Sequence, residues 1–264
     1  MYCEWVDLNQ KVMKLEQANV SVLDSGLLFG DGVYESLSIY NGKLVHFSEH
    51  FTRLEGSSSA MGIKIDRSQA EYEIAISNLI KKNNLSQGQV HLVLTRGNIS
   101  DQLSTPTSFI LLRPTSHSRE LKLLDLCLLM DTRGNNAHIK TTSRADNILL
   151  NKQVKTLNKE EALLHKDGLI TESIAAGTIF IKNGVIICPK SKANVLKSVA
   201  QQHVCRIAVE LKIPIEHKEV SISHLRDLDE ILLVSTTWGV RAAASLQIEN
   251  EVVCYDSNFA NKLN

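Results

Sequence analysis

Several short strings in this chain carry side chains that could do chemistry. His46-Phe47-Ser48-Glu49-His50 places two histidines four apart, which on a helix would share a face and could bind a metal. The order is not His-Glu-x-x-His and no third ligand is evident. The expectation is therefore ordinary surface or capping histidines and no metal. Phe29-Gly30-Asp31-Gly32-Val33-Tyr34-Glu35 sets two glycines around an aspartate, which suits a tight turn. It lacks the Gly-x-Gly-x-x-Gly spacing, and no Walker-type Gly-Lys-Ser/Thr occurs. Ser235-Thr236-Thr237-Trp238-Gly239 follows an apolar run. Hydroxyls and amides at a strand end can cradle an anion, or simply bond their own backbone. Leu196-Lys197-Ser198-Val199-Ala200 opens a helix, and its first amides could hold a phosphate, as at any helix start. By spacing alone Lys140 and Glu172 are one lysine and one acid among many. These features do not choose a reaction by themselves.

The elements that must position them can be read from periodicity and turn chemistry. Residues 10–11 and Asn41-Gly42 are expected as hairpin turns, the second flanked by short strands at 36–40 and 43–47. Residues 66–83 read as a helix capped by Asp66, with Tyr72, Ala75, Ile76, Leu79 and Ile80 on one face. Residues 89–95 and 108–112 read as strands. A polar, proline-containing stretch follows, and the division expected from it is an N-terminal domain at 1–113, a linker at 114–120 and a C-terminal domain at 121–264. In the second part 121–130 is apolar, and 148–157 and 197–211 read as helices. Strands are expected at 161–165, 178–181, 185–188 and 230–235, with Asp167-Gly168 and Asn183-Gly184 as turns. No internal repeat is visible. The fold class is α/β or α+β in two domains.

Composition narrows the function. The 264 residues are 43% hydrophobic and 22% charged, enough apolar side chain for a real core. Lys+Arg is 29 and Asp+Glu is 29, which argues against phosphate-neutralising nucleic-acid binding and against a polybasic membrane anchor. The five cysteines are widely spread, so neither a disulfide framework nor a zinc knuckle is expected. No basic-then-apolar leader and no membrane-spanning run is seen, so the expectation is a cytoplasmic protein.

Taken together and in order, the strings resemble the fold type IV (class IV aminotransferase) pyridoxal-phosphate enzymes. This group includes D-amino-acid aminotransferase, branched-chain aminotransferase and 4-amino-4-deoxychorismate lyase. The resemblance runs from about Val20 to Val240. It rests on the Phe29–Glu35 string, His50-Phe51-Thr52-Arg53-Leu54, Thr95-Arg96-Gly97, Ile139-Lys140 and Gly168-Leu169-Ile170-Thr171-Glu172. It implies a two-domain, D-amino-acid aminotransferase-like fold whose C-terminal domain carries the cofactor lysine, pyridoxal 5'-phosphate as cofactor, an amino-acid-like substrate and a homodimer. Lys140 matches the lysine that binds the cofactor covalently and then moves protons. Glu172 matches the acid that pairs with the pyridine nitrogen, and Arg53 the arginine whose fork grips the phosphate. The amides of Val199 and Ala200 match the helix-start phosphate site, Thr236 and Thr237 its hydroxyl contacts, and Tyr34 an aromatic residue beside the lysine.

The departures bear on the reaction. Ser143 stands where the family usually has Asn, followed by Arg144. Ser198-Val199-Ala200-Gln201 replaces the common Gly-Ile-Thr-Arg. Asp101 and Leu103 stand where D-amino-acid aminotransferases carry an Arg-x-His pair for the substrate carboxylate, and neither side chain suits an anion. The glycine-arginine-glycine string of some lyases is also missing. The reading that results is an aminodeoxychorismate lyase releasing pyruvate and 4-aminobenzoate, in folate biosynthesis. The alternatives are an aminotransferase of the D-amino-acid or branched-chain type, and a non-catalytic binding protein of the same fold.

Overall fold

The computed structural model describes residues 1–100, 105–115, 120–190 and 195–263. Asp101 and Leu103, and residues 116–119 of the expected linker, lie outside them. The chain packs as two units, Met1–His117 with Ile139–Arg144, and Ser118–His138 with Ala145–Asn264. The mixed α/β class is as expected from the sequence.

The first unit contains β1 (Trp5–Leu8), β2 (Lys11–Lys14), α1 (Ser25–Phe29), β3 (Gly32–Tyr40), β4 (Lys43–Leu44), α2 (Phe47–Met61), α3 (Gln69–Lys82), β5 (Gly88–Thr95) and β6 (Thr107–Pro114). Its strands form one sheet in the order β2-β1-β6-β5-β3-β4. Asn41 and Gly42 take positive φ between β3 and β4, the backbone a two-residue hairpin needs. In the first hairpin the turn is Asn9-Gln10, one residue earlier than expected, because these two take the positive φ and Lys11 already pairs with Leu8. Ser68, not Asp66, caps α3, in a capping box with Glu71. Asp66 instead accepts from Ser108 Oγ at 2.6 Å and from the Tyr72 hydroxyl. Residues 45–47 are not strand: His46 turns the chain and Phe47 begins α2. One face of the sheet, through Leu37, Ile39, Leu92 and Ile110, packs on Phe51, Leu54, Tyr72 and Ile76 of α2 and α3. Burying each such side chain stabilises the fold by about 2 kcal/mol.

The lysine-bearing segment departs from the expected division. Ile139–Arg144 belongs to the first unit, not to the C-terminal one. The cause is main-chain pairing along the start of β3, where β4 does not reach. Tyr34 N–H donates to Lys140 O at 2.9 Å, Thr142 N–H to Gly32 O at 2.8 Å, and Val33 bridges Thr141. Thr142 Oγ1 donates to Gly30 O at 3.0 Å, and Lys140 N–H to Ser57 Oγ of α2 at 3.2 Å. Both glycines of the Gly30-Asp31-Gly32 string are required for this approach. Gly30 has φ +67°, and a Cβ there would lie 3.0 Å from Ser143 Cβ; one at Gly32 would lie 2.9 Å from Thr142 Oγ1 and 3.0 Å from Leu94 O.

The second unit contains β7 (Leu123–Met130), α4 (Ala145–Thr156), β8 (Glu161–Lys166), β9 (Leu169–Ser173), β10 (Gly177–Lys182), β11 (Val185–Pro189), α5 (Val199–Glu210), β12 (Ile215–Lys218), β13 (Glu230–Ser235), β14 (Gly239–Ile248), β15 (Glu251–Cys254) and α6 (Ala260–Leu263). Its sheet runs β12-β11-β10-β13-β14-β7-β8-β9, with β15 beside β14. Asp167-Gly168 and Asn183-Gly184 are tight turns with positive φ. The apolar stripe of α5, Val204 and Ala208, packs on Ile179, Ile181 and Leu232. Cys188 and Cys205 meet across this contact with their sulfurs 3.4 Å apart, as free thiols. Among the described residues no helix is long and apolar enough to cross a membrane.

Two glycines give opposite expectations. Gly32→Ala should destabilise by about 1–3 kcal/mol, since the new methyl meets backbone and a pinned side chain. Gly56→Ala, in the middle of α2 with open space around it, should stabilise by about 0.5–1 kcal/mol. Urea midpoints of the two variants check both signs.

Candidate active site

β3 delivers two groups to opposite faces of the first sheet. Strand alternation sends Glu35 to the core face with Val33 and Leu37, and Tyr34 to the other face. Glu35 is 1% exposed. It accepts from Arg53 Nε at 2.7 Å, from Arg53 Nη2 at 2.8 Å and pairs with His50 Nδ1 at 2.7 Å. Burial alone would raise this carboxyl. The hydrogen bonds from Arg53 and His50, with the charges of Arg53 and Lys140, instead hold it at about 2. The motif histidine His50 is thus a core partner of Glu35. The Arg53 edge carrying Nε and Nη2, expected to fork a phosphate, faces Glu35.

On the other face the Tyr34 ring gathers three bases. Lys140 Nζ lies 4.5 Å and the Arg144 guanidinium carbon 5.5 Å from its centroid. The His91 ring is 5.4 Å away. Burial, then the charges of Arg144, Lys140 and Arg113, hold His91 below its usual value. Thr95-Arg96-Gly97 turns out to be scaffolding. Arg96 forks Asp31 at 2.6 and 3.1 Å and donates to the last carbonyls of α2, Met61 O and Gly62 O. It thereby ties the glycine string to the helix end.

In the second unit Glu172 is the penultimate residue of β9 and is 8% exposed. Arg133 Nη1 donates to its Oε1 at 2.8 Å, and Arg133 Nε and Nη2 fork Asp131 at 2.9 and 2.7 Å. Thr171 Oγ1 also donates to Asp131 Oδ2 at 2.9 Å. Burial lifts the Glu172 carboxyl above its usual range, although Arg133 and the Leu196 N–H oppose this. The turn between β9 and β10 is closed by Ser173 Oγ and Ala176. It brings Gly177 beside the start of α5, where a Cβ would lie 2.8 Å from Ser198 Cβ. Ser198 caps α5 by accepting from Gln201 N–H, and Gln201 Nε2 donates to Thr178 O at 2.7 Å. Val199 and Ala200 therefore present first-turn amides at the end of β10. The register Gly177↔Val234 sets the Ser235–Thr237 turn at the same sheet end, with Ser235 and Thr237 hydroxyls 3.1 Å apart.

Each unit thus assembles a set of the sequence-derived residues. Lys140 and Tyr34 meet in the first, with Arg53 behind them through Glu35. Glu172, Val199, Ala200, Thr236 and Thr237 share one sheet end in the second. Sequence reasoning missed Glu35 as the anchor of Arg53, and missed Asp131 and Arg133. Their only signal was an acid and a base two apart at the end of an apolar run.

Known proteins resemble this chain in sequence and in fold. The family model described as amino-transferase class IV matches residues 32–246. A D-alanine aminotransferase of Listeria monocytogenes is 30% identical over 240 residues, covering 87% of this chain and 83% of that protein. One from Staphylococcus epidermidis is 28% identical over 253 residues, covering 93% and 90%. Among solved structures, a branched-chain aminotransferase from Thermoproteus uzoniensis with norvaline superposes with TM-score 0.89 at 19% identity, covering 99% of this chain and 92% of that one. A putative 4-amino-4-deoxychorismate lyase from Legionella pneumophila gives 0.85 at 18%, covering 94% of each. At these identities the structural likeness establishes the fold.

The Glu35 cluster makes a pH prediction. A carboxyl held at about 2 instead of 4.5 contributes about 3 kcal/mol, present above its ordinary value and lost as pH falls through about 2. Glu35→Gln should remove this contribution and flatten the fall in unfolding midpoint between pH 4.5 and 2. Parallel acid-unfolding curves for wild type and variant would contradict it.

Proposed function

Because the chain belongs to the amino-transferase class IV family, we propose that it is a pyridoxal-phosphate-dependent enzyme acting on an amino-acid-like substrate. The observation that carries this reading is the backbone pairing that fixes Lys140 on β3, with its amine over Tyr34. The donor groups suit the cofactor. Lys140 offers an amine for its aldehyde. Glu172 is a buried carboxylate whose single arginine does not offset burial, so a protonated ring nitrogen is the partner it lacks. Val199 and Ala200 amides, with Thr236 and Thr237, offer donors for its phosphate.

Pyridoxal phosphate, when bound, supplies an electron-accepting ring that stabilises negative charge at the substrate α-carbon. The protein's part is positional. Lys140 Nζ would hold the cofactor and, once the substrate amine replaces it, take the proton from the carbon bearing that amine; in the lyase the C–O bond to the enolpyruvyl group then breaks and the departing enolpyruvate takes up a proton to become pyruvate. Tyr34 limits where the lysine amine can reach. Glu172 keeps the proton on the ring nitrogen, and Arg133 with Asp131 holds Glu172 in place. We read the reaction as the lyase that cleaves 4-amino-4-deoxychorismate to pyruvate and 4-aminobenzoate. Asp101 and Leu103 support it, since neither offers a cation to the carboxylate of a keto-acid acceptor. A second reading, D-amino-acid transfer, is favoured by the 30% identity to a D-alanine aminotransferase. In either case we expect a cytoplasmic homodimer. The exposed Leu27, Leu28 and Phe29 of α1 support the association.

Lys140→Ala should abolish the visible absorbance band that the wild type acquires with pyridoxal phosphate. Glu172→Gln should keep the band and lower turnover about 100-fold or more. A wild type with no band would leave only the binding-protein reading. Incubation with aminodeoxychorismate alone should yield pyruvate. Glutamate formed from D-alanine and 2-oxoglutarate, with no pyruvate from aminodeoxychorismate, would overturn the lyase and establish the transaminase.

A further inference from the structure

Arg144 closes the segment that clamps Lys140 to β3, four residues after it, and its side chain is exposed. Its guanidinium is 5.5 Å from the Tyr34 centroid, on the ring that also carries Lys140 Nζ at 4.5 Å. A guanidinium against an aromatic ring gives up reorientation but keeps its N–H donors at the edge, ready for a planar anion. The charge around this ring is one-sided. Lys140 and Arg144 border it, and their charges, with burial, favour the neutral form of the neighbouring His91. The acid next in sequence to Tyr34, Glu35, points to the opposite face of β3 and is bound by Arg53 and His50. Among the described residues no carboxylate pairs with Lys140 or Arg144. The acid Glu35 feels the Lys140 charge but is already taken by Arg53 and His50, so the two cations on this face favour an anion.

We propose that Arg144 binds the carboxylate of the substrate, with Tyr34 as the platform that holds the guanidinium beside the Lys140 amine. This rests on the second functional reading above, amino-acid transfer, because an α-amino acid brings a carboxylate two bonds from the amine that meets Lys140, whereas aminodeoxychorismate carries none on the carbon bearing its amine. A cation for that carboxylate must therefore sit within a few ångströms of the lysine. Arg144 shares both the backbone segment and the aromatic ring with it. The guanidinium fork would fix the rotation of the substrate about its α-carbon, and so which bond faces the base.

Two anions could use this cation, the substrate carboxylate and the cofactor phosphate, and the test separates them. Arg144→Gln and Arg144→Lys are prepared as holoenzymes and compared with wild type. Pyridoxal-phosphate affinity is measured from the visible band, KM and kcat with the substrate that proves active, and the inhibition constant of acetate as a minimal carboxylate. The proposal expects Arg144→Gln to raise KM and the acetate constant about tenfold or more, with kcat falling much less and cofactor affinity unchanged. Arg144→Lys should recover part of the loss, since it restores the charge without the fork. An unchanged KM and acetate constant overturns the proposal, and so does a loss confined to cofactor affinity, which assigns Arg144 to the phosphate. Should Arg144→Gln unfold more readily in urea, Arg144→Lys decides alone: a raised KM and acetate constant with unchanged cofactor affinity supports the proposal, and wild-type values overturn it. Failure of the wild type to form the visible band would overturn the functional reading and this proposal with it, whereas a normal band with an unchanged acetate constant overturns the proposal alone.

Discussion

Backbone pairing along the start of β3 is the constraint on which the site depends. A lysine on a free loop would sweep a wide volume. Here the carbonyl of Lys140 is held by Tyr34 N–H, and its own N–H by Ser57 Oγ. The side chain therefore leaves a fixed point, over a ring presented by the same strand. This pairing is possible because positions 30 and 32 have no side chain and Gly30 turns with positive φ. Sequence sets the turn, the turn admits the segment, and the segment aims the amine.

Glu35 shows how the opposite face contributes. Its carboxylate sits in the apolar layer between sheet and α2, where an unpaired charge would be costly. Arg53 and His50 neutralise it and in doing so fix the first turns of α2 against β3. The second unit repeats the logic with Asp131, Arg133 and Glu172. In the second unit Asp131 pins Arg133, which in turn holds Glu172, so this network fixes the position of a buried carboxyl.

Much of the fold was legible because its signals are local. The apolar positions of α3 recur at helical spacing, and Asn41-Gly42, Asp167-Gly168 and Asn183-Gly184 carry the turn chemistry that the backbone shows. The helix over Phe47–Met61 was not read, since its glycine and three consecutive serines obscure the apolar stripe. Residues 45–47 looked like strand because Val45 and Phe47 alternate with a histidine. The roles of Lys140, Glu172 and the helix-start amides came from ordered resemblance, not from spacing. Partners that meet only through folding, such as Glu35 with Arg53 across 18 positions, leave no periodic trace. The assignment of Lys140 to the wrong unit has the same origin. Position along the chain suggested the C-terminal part, and hydrogen bonds to β3 decided otherwise.

The first unit is made from two separate stretches of chain. A nascent polypeptide released from the ribosome only as far as residue 117 would carry all its strands yet leave the edge of β3 at Val33 without its cover. Completion must wait until residue 144 emerges, by which time β7 of the other unit has been made. The two units are thus interleaved in the order of synthesis, and no single cut between them yields a first half that is whole.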